Sequence, residues 1–428
     1  MGAHFLLTTF GSLGDLHPYI AVGLGLRERG HRVTIATSEI YRQKVEGEGL
    51  GFRPFRPDVS CFLENPEMMR KAFHPRTGSE FIFRRILLPA VEESYEDLVE
   101  AGRDADLIVG HGAAFATPTV AEVLRKRWIS VALQPMVFLS VHDPPLISGL
   151  PLGERLVELG PGFWNAFLHL ARGRVRDWAR PLTHLRRKLG LRELRNPALN
   201  DMFSPHGTQA WFSRVFAAPQ RDWPADVAIT GFPFYDKLEP GRGMSADLAR
   251  FLEAGPRPVV FTLGSSAVMD AGSFYRESLE AVRRMGIRAV LLTGRDARNR
   301  PEGALPENVF VCEYAPYSEL LPRGAATVHQ GGVGTTAQAL RSGRPMIVVP
   351  WSHDQPDNAM RVRRLGSGRM IRRAKYRAAR IEAELGELLA RPDYARRAAE
   401  MAAHMRAEDG VRAACDGLER ALSSKPRS

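Results

Sequence analysis

ATVHQGGVGTTAQALRSGRPMIVVPWSHDQPDNAMR, residues 326–361, decides the fold. A short β-rich run, ATVH, enters the glycine-rich turn HQGGVGTT, a helical stretch follows, and GRPMIVVP is a second short apolar run. This reads as strand, turn, helix and strand, a βαβ unit of a parallel sheet. Three glycines let backbone N–H groups approach an anion closely. The helix expected to start near Thr335 aims its positive end at that anion. HDQPDNA then places a carboxylate and an amide at the carboxyl end of the second strand.

The same rhythm extends in both directions. PVVFTLG (258–264), RAVLLTG (288–294) and NVFVCEY (308–314) are further strands of the second half. In the first half AHFLLTTF (3–10), HRVTIATS (31–38), ADLIVG (105–110) and WISVALQ (128–134) alternate with helical segments, one of them over 18–29. The pattern predicts an α/β fold with two Rossmann-like, doubly wound domains: 1–225, then a linker region 226–243, then 244–391. Residues 392–428 read as a C-terminal helix. The stretches 52–100 and 135–205, rich in Phe, Met, Trp and Pro, lack the βα rhythm. Long segments of this kind are usually functional or carry helices of their own. In open α/β sheets the ligand lies at the carboxyl ends of the strands.

Composition narrows the class. The 428 residues are 44% hydrophobic and 25% charged, which excludes a disordered chain, and no apolar run is long enough to span a bilayer. The start, MGAHFLLTTFGSLGD, has no basic n-region, so no signal peptide is read. Three cysteines, Cys61, Cys312 and Cys415, make neither a disulfide framework nor a zinc cluster and fit a reducing cytoplasm. The formal charge is +11, with arginines concentrated at 172–188 and 361–373. That excess suits phosphorylated small molecules, nucleic acid or an anionic membrane surface, and charge alone does not choose among them. No zinc-finger, basic-zipper or RNA-recognition signature accompanies it.

The motifs narrow the chemistry further. In FGSLGDLHP (10–18) the glycine spacing is wrong for a dinucleotide fingerprint, which removes the support for hydride transfer. Asp15 stands at the head of a helix as a cap or as a functional carboxylate. An anion cradle at HQGGVGTT followed by Asp354 and Gln355 supplies donors for a diphosphate and acceptors for hydroxyls, the two things a nucleotide sugar needs.

Residues 329–359 resemble the donor-binding signature of family 1 glycosyltransferases, in the bacterial and sterol branch where HxGGxGTT and DQxxNA occur together. GSLGDLHP is similar to the GSxGDxxP opening of that branch, and the element order matches along nearly the whole chain. The resemblance implies a GT-B architecture, two Rossmann-like domains facing across a cleft, with acceptor pockets that vary in the two long segments and a C-terminal helix, 392–428, that packs back on the first domain. It implies Asp15 as general base, with His17 as a rival, and His111 as its partner in a dyad of reversed roles. For the donor it implies phosphate contacts from Ser265, Ser266, Gln330, Gly332, Gly334 and Thr335, with His329 beside them. Tyr314 would stack on the base, and Asp354 and Gln355 would hold the sugar hydroxyls. Gln338 stands where plant members carry a ribose-binding glutamate, which weakens the case for a UDP donor over a dTDP donor.

The expected activity is an inverting transfer of a hexose from a UDP- or dTDP-sugar to a lipophilic small molecule or lipid. No acidic DxD element appears at the nucleotide site, so no metal and no cofactor is expected. The nucleotide sugar is a co-substrate, and nucleic acid is not an expected partner. Peripheral contact with the inner face of a membrane stays open. A sugar-nucleotide epimerase or lipid-intermediate glycosyltransferase on the same fold is an alternative, as is a basic nucleic-acid- or membrane-surface-binding protein.

Overall fold

The computed structural model describes residues 2–60, 65–150, 152–196, 199, 201–237 and 243–423. Cys61, residues 238–242 of the expected linker, positions 151, 197, 198 and 200 of the second long segment, and 424–428 of the tail lie outside the described residues. The chain divides into two compact units. The first comprises Met1–Ala72, Arg76–Tyr235 and Glu408–Ser428, and the second Phe73–Pro75 and Asp236–Ala407.

Among the described residues, the first unit holds a seven-stranded parallel sheet of β1 (His4–Thr8), β2 (Arg32–Thr37), β3 (Gly51–Pro54), β4 (Leu107–His111), β5 (Arg127–Ala132), β6 (Thr208–Ala210) and β7 (Val227–Ile229). Its spatial order is β3-β2-β1-β4-β5-β6-β7. All five residues of β1 are buried, as expected of a strand paired on both edges and covered on both faces. Helix α1 (Leu13–Glu28) follows β1, while α2 (Pro161–Trp178) and α3 (Arg180–Lys188) occupy the second long segment.

The second unit holds β8 (Val259–Thr262), β9 (Ala289–Leu292), β10 (Val309–Cys312), β11 (Ala326–His329), β12 (Met346–Val348) and β13 (Gly368–Met370). Their order is β10-β9-β8-β11-β12-β13, all pairs parallel. Helices α4 (Val333–Ser342) and α5 (Gln355–Arg364) follow β11 and β12. Phe261, Leu291, Val328, Ile347 and Trp351 centre its core.

Several boundaries differ from the sequence reading. Helix α1 begins at Leu13 rather than at 18, because Ser12 caps it: the Ser12 hydroxyl accepts from the Gly14 N–H, and Asp15 accepts from the Ser12 N–H. Asp15 is therefore the third helical residue, not the cap, and Pro18 lies inside the helix. Helix α4 begins at Val333, two residues before the expected start. The expected linker 226–243 begins in β7, and the two units part between Tyr235 and Asp236. The tail is two helices rather than one, α6 (Pro392–Ala407) and α7 (Gly410–Ser423). Helix α6 stays with the second unit, against α4, whereas α7 packs on α1 in the first.

Candidate active site

Strand order locates the ligand end of each unit. In the first sheet the order reverses between β1 and β4, neighbours with Thr8 opposite Gly110. Their carboxyl ends carry the turn to Asp15 on one side and His111 on the other, at the switch point where open α/β sheets bind ligands.

The two oxygens of Asp15 have separate work. Oδ2 accepts from the Ser12 N–H at 2.8 Å and from the Ser12 hydroxyl at 3.2 Å, which fixes the rotamer. Oδ1 faces His111 Nε2 at 3.9 Å. The Ala113 N–H donates to His111 Nδ1 at 3.3 Å, so Nδ1 is an acceptor and the neutral ring carries its proton on Nε2, toward the aspartate. Burial raises the Asp15 pKa against the opposing pull of His111 and the Ser12 donors, and burial lowers that of His111 against the pull of Asp15. The pair is thus biased toward a carboxylate that binds protons more readily than usual beside a neutral imidazole. Gly11 permits the arrangement: its φ is 134°, and a Cβ there would stand 2.3 Å from Asp15 Oδ2. Tyr19, one helical turn on from Asp15, presents its ring edge to His111 with centroids 6.2 Å apart. His17, the rival base, sits against Tyr235 with ring centroids 5.0 Å apart.

In the second sheet the order reverses between β8 and β11, and the residues expected to hold a donor gather there. Gly332 caps α4 without any side-chain hydrogen bond to the first turn, so the N–H groups of Val333, Gly334 and Thr335 lack a side-chain acceptor. Gln330 is buried, donates from Nε2 to Thr335 Oγ1 at 3.3 Å, and leaves Oε1 without a partner. A Cβ on Gly264, in the turn after β8, would lie 2.2 Å from Gln330 Nε2, so the two turns touch. Ser265 is exposed and Ser266 half-buried in that same turn, and Tyr314 is half-exposed after β10. A first-turn N–H array beside a buried amide suits an anion.

Three expected contacts are placed differently. His329 is fully buried, with Nδ1 accepting from the Gly331 N–H and Nε2 on Met346 Sδ; burial pushes its pKa down to about 3. It is a neutral core residue with no surface to offer a phosphate. Gln355 is also buried, and its Oε1 accepts from the N–H groups of Trp351 and Ser352, so the carbonyl is spent on shaping the turn. Gln338 donates to Asp236 at 3.1 Å and accepts from Arg341 at 2.8 Å, so both ends of its amide are engaged. Asp354 is half-buried and accepts from Asn358 Nδ2 at 2.7 Å.

Two family models match the chain. The Glycosyltransferase family 28 N-terminal domain covers residues 5–122, and the Erythromycin biosynthesis protein CIII-like C-terminal domain covers 278–413. The O-mycaminosyltylonolide 6-deoxyallosyltransferase of Streptomyces fradiae is 34% identical over 425 residues, 96% of each protein. The chain belongs to the family 1 GT-B glycosyltransferases. A sterol 3-beta-glucosyltransferase of Yarrowia lipolytica is 28% identical over 98% of this chain, which spans only 29% of that longer relative. The crystal structure of the glycosyltransferase VinC in complex with dTDP superposes with a TM-score of 0.69 at 21% identity, covering 98% of this chain and 99% of VinC.

This glycosyltransferase is nucleotide-sugar dependent. Its sequence reading missed Asn358, which bridges the two donor-side turns by donating to the Gly331 carbonyl at 2.8 Å and to Asp354. The DQxxNA motif contained it, but a buried amide that ties loops together leaves no signal distinct from one that binds ligand. Tyr317 was also missed; its hydroxyl meets Thr262 Oγ1 at 2.8 Å beneath the glycine-rich turn. His353, just before Asp354, adopts φ 57°, a left-handed conformation that costs a non-glycine residue energy and is concentrated at functional sites.

Proposed function

We propose that this glycosyltransferase moves a hexose from a dTDP- or UDP-sugar to a lipophilic small-molecule acceptor, with inversion, without a metal ion, and with Asp15 as general base. The observation that carries the reading is the division of labour in Asp15. One oxygen is anchored by Ser12 and the other faces a neutral His111. As the acceptor oxygen bonds to the anomeric carbon, its proton passes to Oδ1. The bond from that carbon to the diphosphate breaks, and the electron pair leaves on the phosphate oxygen. An aspartate cannot deprotonate a free alcohol beforehand, so proton transfer accompanies bond formation.

Departing negative charge would meet the first-turn N–H groups of α4, together with the amide of Gln330 and the hydroxyls of Ser265, Ser266 and Thr335. Fixed donors of this kind stabilise developing charge without reorganising. Asp354 is the residue proposed to hold the sugar hydroxyls, supported by Asn358 from behind. Gln338 supports a dTDP donor, since a neutral amide already tied to Asp236 and Arg341 offers a ribose less than a carboxylate would. The S. fradiae relative, named for a macrolide-type acceptor and a 6-deoxyhexose, and the sterol-specific relative both support a lipophilic acceptor.

A donor panel tests this: nucleoside diphosphate release from UDP-glucose, dTDP-glucose and dTDP-rhamnose, with a pool of macrolide and sterol acceptors and a chelator present. Acceptor-dependent release that survives the chelator is expected. Release that stops with chelation, or a product of retained configuration, would overturn the mechanism.

A further inference from the structure

Helix α2 is unusual for a surface helix. It runs for 18 residues, Pro161–Trp178, yet buries only Trp164 and Leu168. Beside that buried face the helix carries a second apolar stripe. Phe163, Phe167 and Leu170 follow an i, i+4, i+7 spacing, which puts them on one side of the helix. The rings of Phe163 and Phe167 stack there, 6.1 Å between centroids. Leu170 is 75% exposed, and Leu152 and Leu159, in the approach to the helix, are 65% and 44% exposed. Four of the nine large hydrophobic residues exposed among the described residues therefore fall between 152 and 170. Single exposed apolar side chains are ordinary, whereas a cluster marks an interaction surface.

Charge identifies the occupant. The carboxyl-terminal half of the same helix and the start of α3 carry Arg174, Arg176 and Arg180, all exposed, and Arg187 and Lys188 extend the run. The acidic residues within this stretch are few: Asp177 pairs with Arg180 and Glu193 with Arg187, and Lys188 pairs with the distant Glu92, while Arg174 and Arg176 have no ion pair among the described residues. An apolar stripe next to an arginine cluster on one helix is the composition of a helix lying in the plane of an anionic bilayer surface.

We propose that α2 is an interfacial helix that docks this enzyme reversibly on an anionic lipid surface. Phe163, Phe167 and Leu170 enter the acyl boundary and Arg174 and Arg176 lie among the headgroups. The inference stands on α2 alone and does not depend on Asp15 or the donor contacts.

Flotation of the full chain with phosphatidylcholine vesicles, with and without phosphatidylglycerol, tests it. Wild type should float with the anionic vesicles and not with the neutral ones, and added salt should release it. Each basic residue near such a surface contributes about a fivefold effect on binding, so Arg174→Glu with Arg176→Glu should lower it by roughly 25-fold or more. Phe163→Ser with Leu170→Ser should lower it at least about tenfold. Circular dichroism and calorimetry with the nucleoside diphosphate should show both variants folded and able to bind donor. Equal flotation on neutral vesicles, or full flotation of either variant, overturns the proposal. So does light scattering that finds wild type dimeric and the serine variant monomeric, which would make a second copy the occupant. Loss of acceptor affinity with unchanged flotation would instead assign the stripe to the acceptor.

Discussion

Asp15 Oδ1 and His111 Nε2 lie 3.9 Å apart although 96 residues separate them in sequence, because β1 and β4 are sheet neighbours that end side by side. The His111 proton points toward the carboxylate, since the Ala113 N–H occupies Nδ1. Under the mechanism proposed above, the familiar arrangement in which a carboxylate orients a basic histidine would be inverted, with the histidine attending a basic carboxylate.

Asp15→Asn should lower turnover by about 10²–10⁴-fold, the usual contribution of a general base, with donor affinity within a few-fold of wild type. The same variant should not be destabilised near neutral pH. Burial raises the folded-state pKa of Asp15, so its ionised form costs stability there, and a neutral amide removes that cost while still accepting from Ser12. Saturating kinetics and thermal melting check both. A variant with more than a third of wild-type turnover would reduce Asp15 to a structural partner of the Ser12 cap.

The acid limb of kcat/KM should fall above the ordinary carboxylate range, because Asp15 must be ionised to act and its pKa is raised. His111 pulls that pKa down, so His111→Leu should move the limb to higher pH and leave less activity at pH 6 than at pH 8. An unmoved limb would disconnect the pair.

How much of this was legible beforehand follows from the reach of each signal. The turn at 10–18 and the stretch 326–361 each lie at the end of a buried strand, so local pattern sufficed to place Asp15 and the glycine-rich cradle. The strands β3, β6 and β13 are three or four residues long and carry Gly, Pro, Gln or Arg, and β7 is only the three residues VAI, so no long apolar run announced them. His329 and Gln355 show a different limit. A motif fixes where a residue stands along the chain but not which way its side chain turns, and both turn inward to satisfy backbone N–H groups.

Gly264→Ala should weaken nucleoside diphosphate binding by about 5–150-fold, the equivalent of the 1–3 kcal/mol that overpacking a close contact usually costs. The added methyl would push Gln330 off Thr335 and disturb the cradle. Calorimetry with the bare diphosphate measures it, and unchanged affinity would remove Gln330 from the phosphate site.

Acid should loosen the second unit through His329. The folded protein keeps this histidine neutral down to a pKa of about 3, whereas the unfolded chain takes up the proton near its ordinary value of about 6.5. Between those values the unfolded state binds the extra proton, so stability falls as pH falls, by roughly 1.4 kcal/mol per pH unit. Urea denaturation at pH 7.5 and pH 5 should show a loss that His329→Gln largely abolishes. An equal loss in the variant would trace the acid sensitivity to other groups.

The last expectation concerns what holds α7 on α1. Two kinds of contact compete. Arg29 meets Asp416 and Glu419 at 2.6 Å each, and His31 meets Glu419 at 2.9 Å. Beneath them Ala414, Cys415 and Leu418 are fully buried. The ionic set looks the more conspicuous, but its side chains retain 14–44% of their surface to solvent, and exposed pairs are worth about 0–1 kcal/mol. Removing a buried leucine side chain costs about 2–5 kcal/mol, since the lost transfer energy is joined by the cavity left behind. Leu418→Ala should therefore destabilise the first unit several times more than Arg29→Ala, and high salt should leave wild-type stability nearly unchanged. Ending the chain at Ala407 removes both sets together with the Gln209 bond to the Ala414 carbonyl, and should expose α1 to rapid proteolysis. Should Arg29→Ala prove the more damaging change, with strong salt sensitivity, the helix would be held by its charges and not by its apolar face.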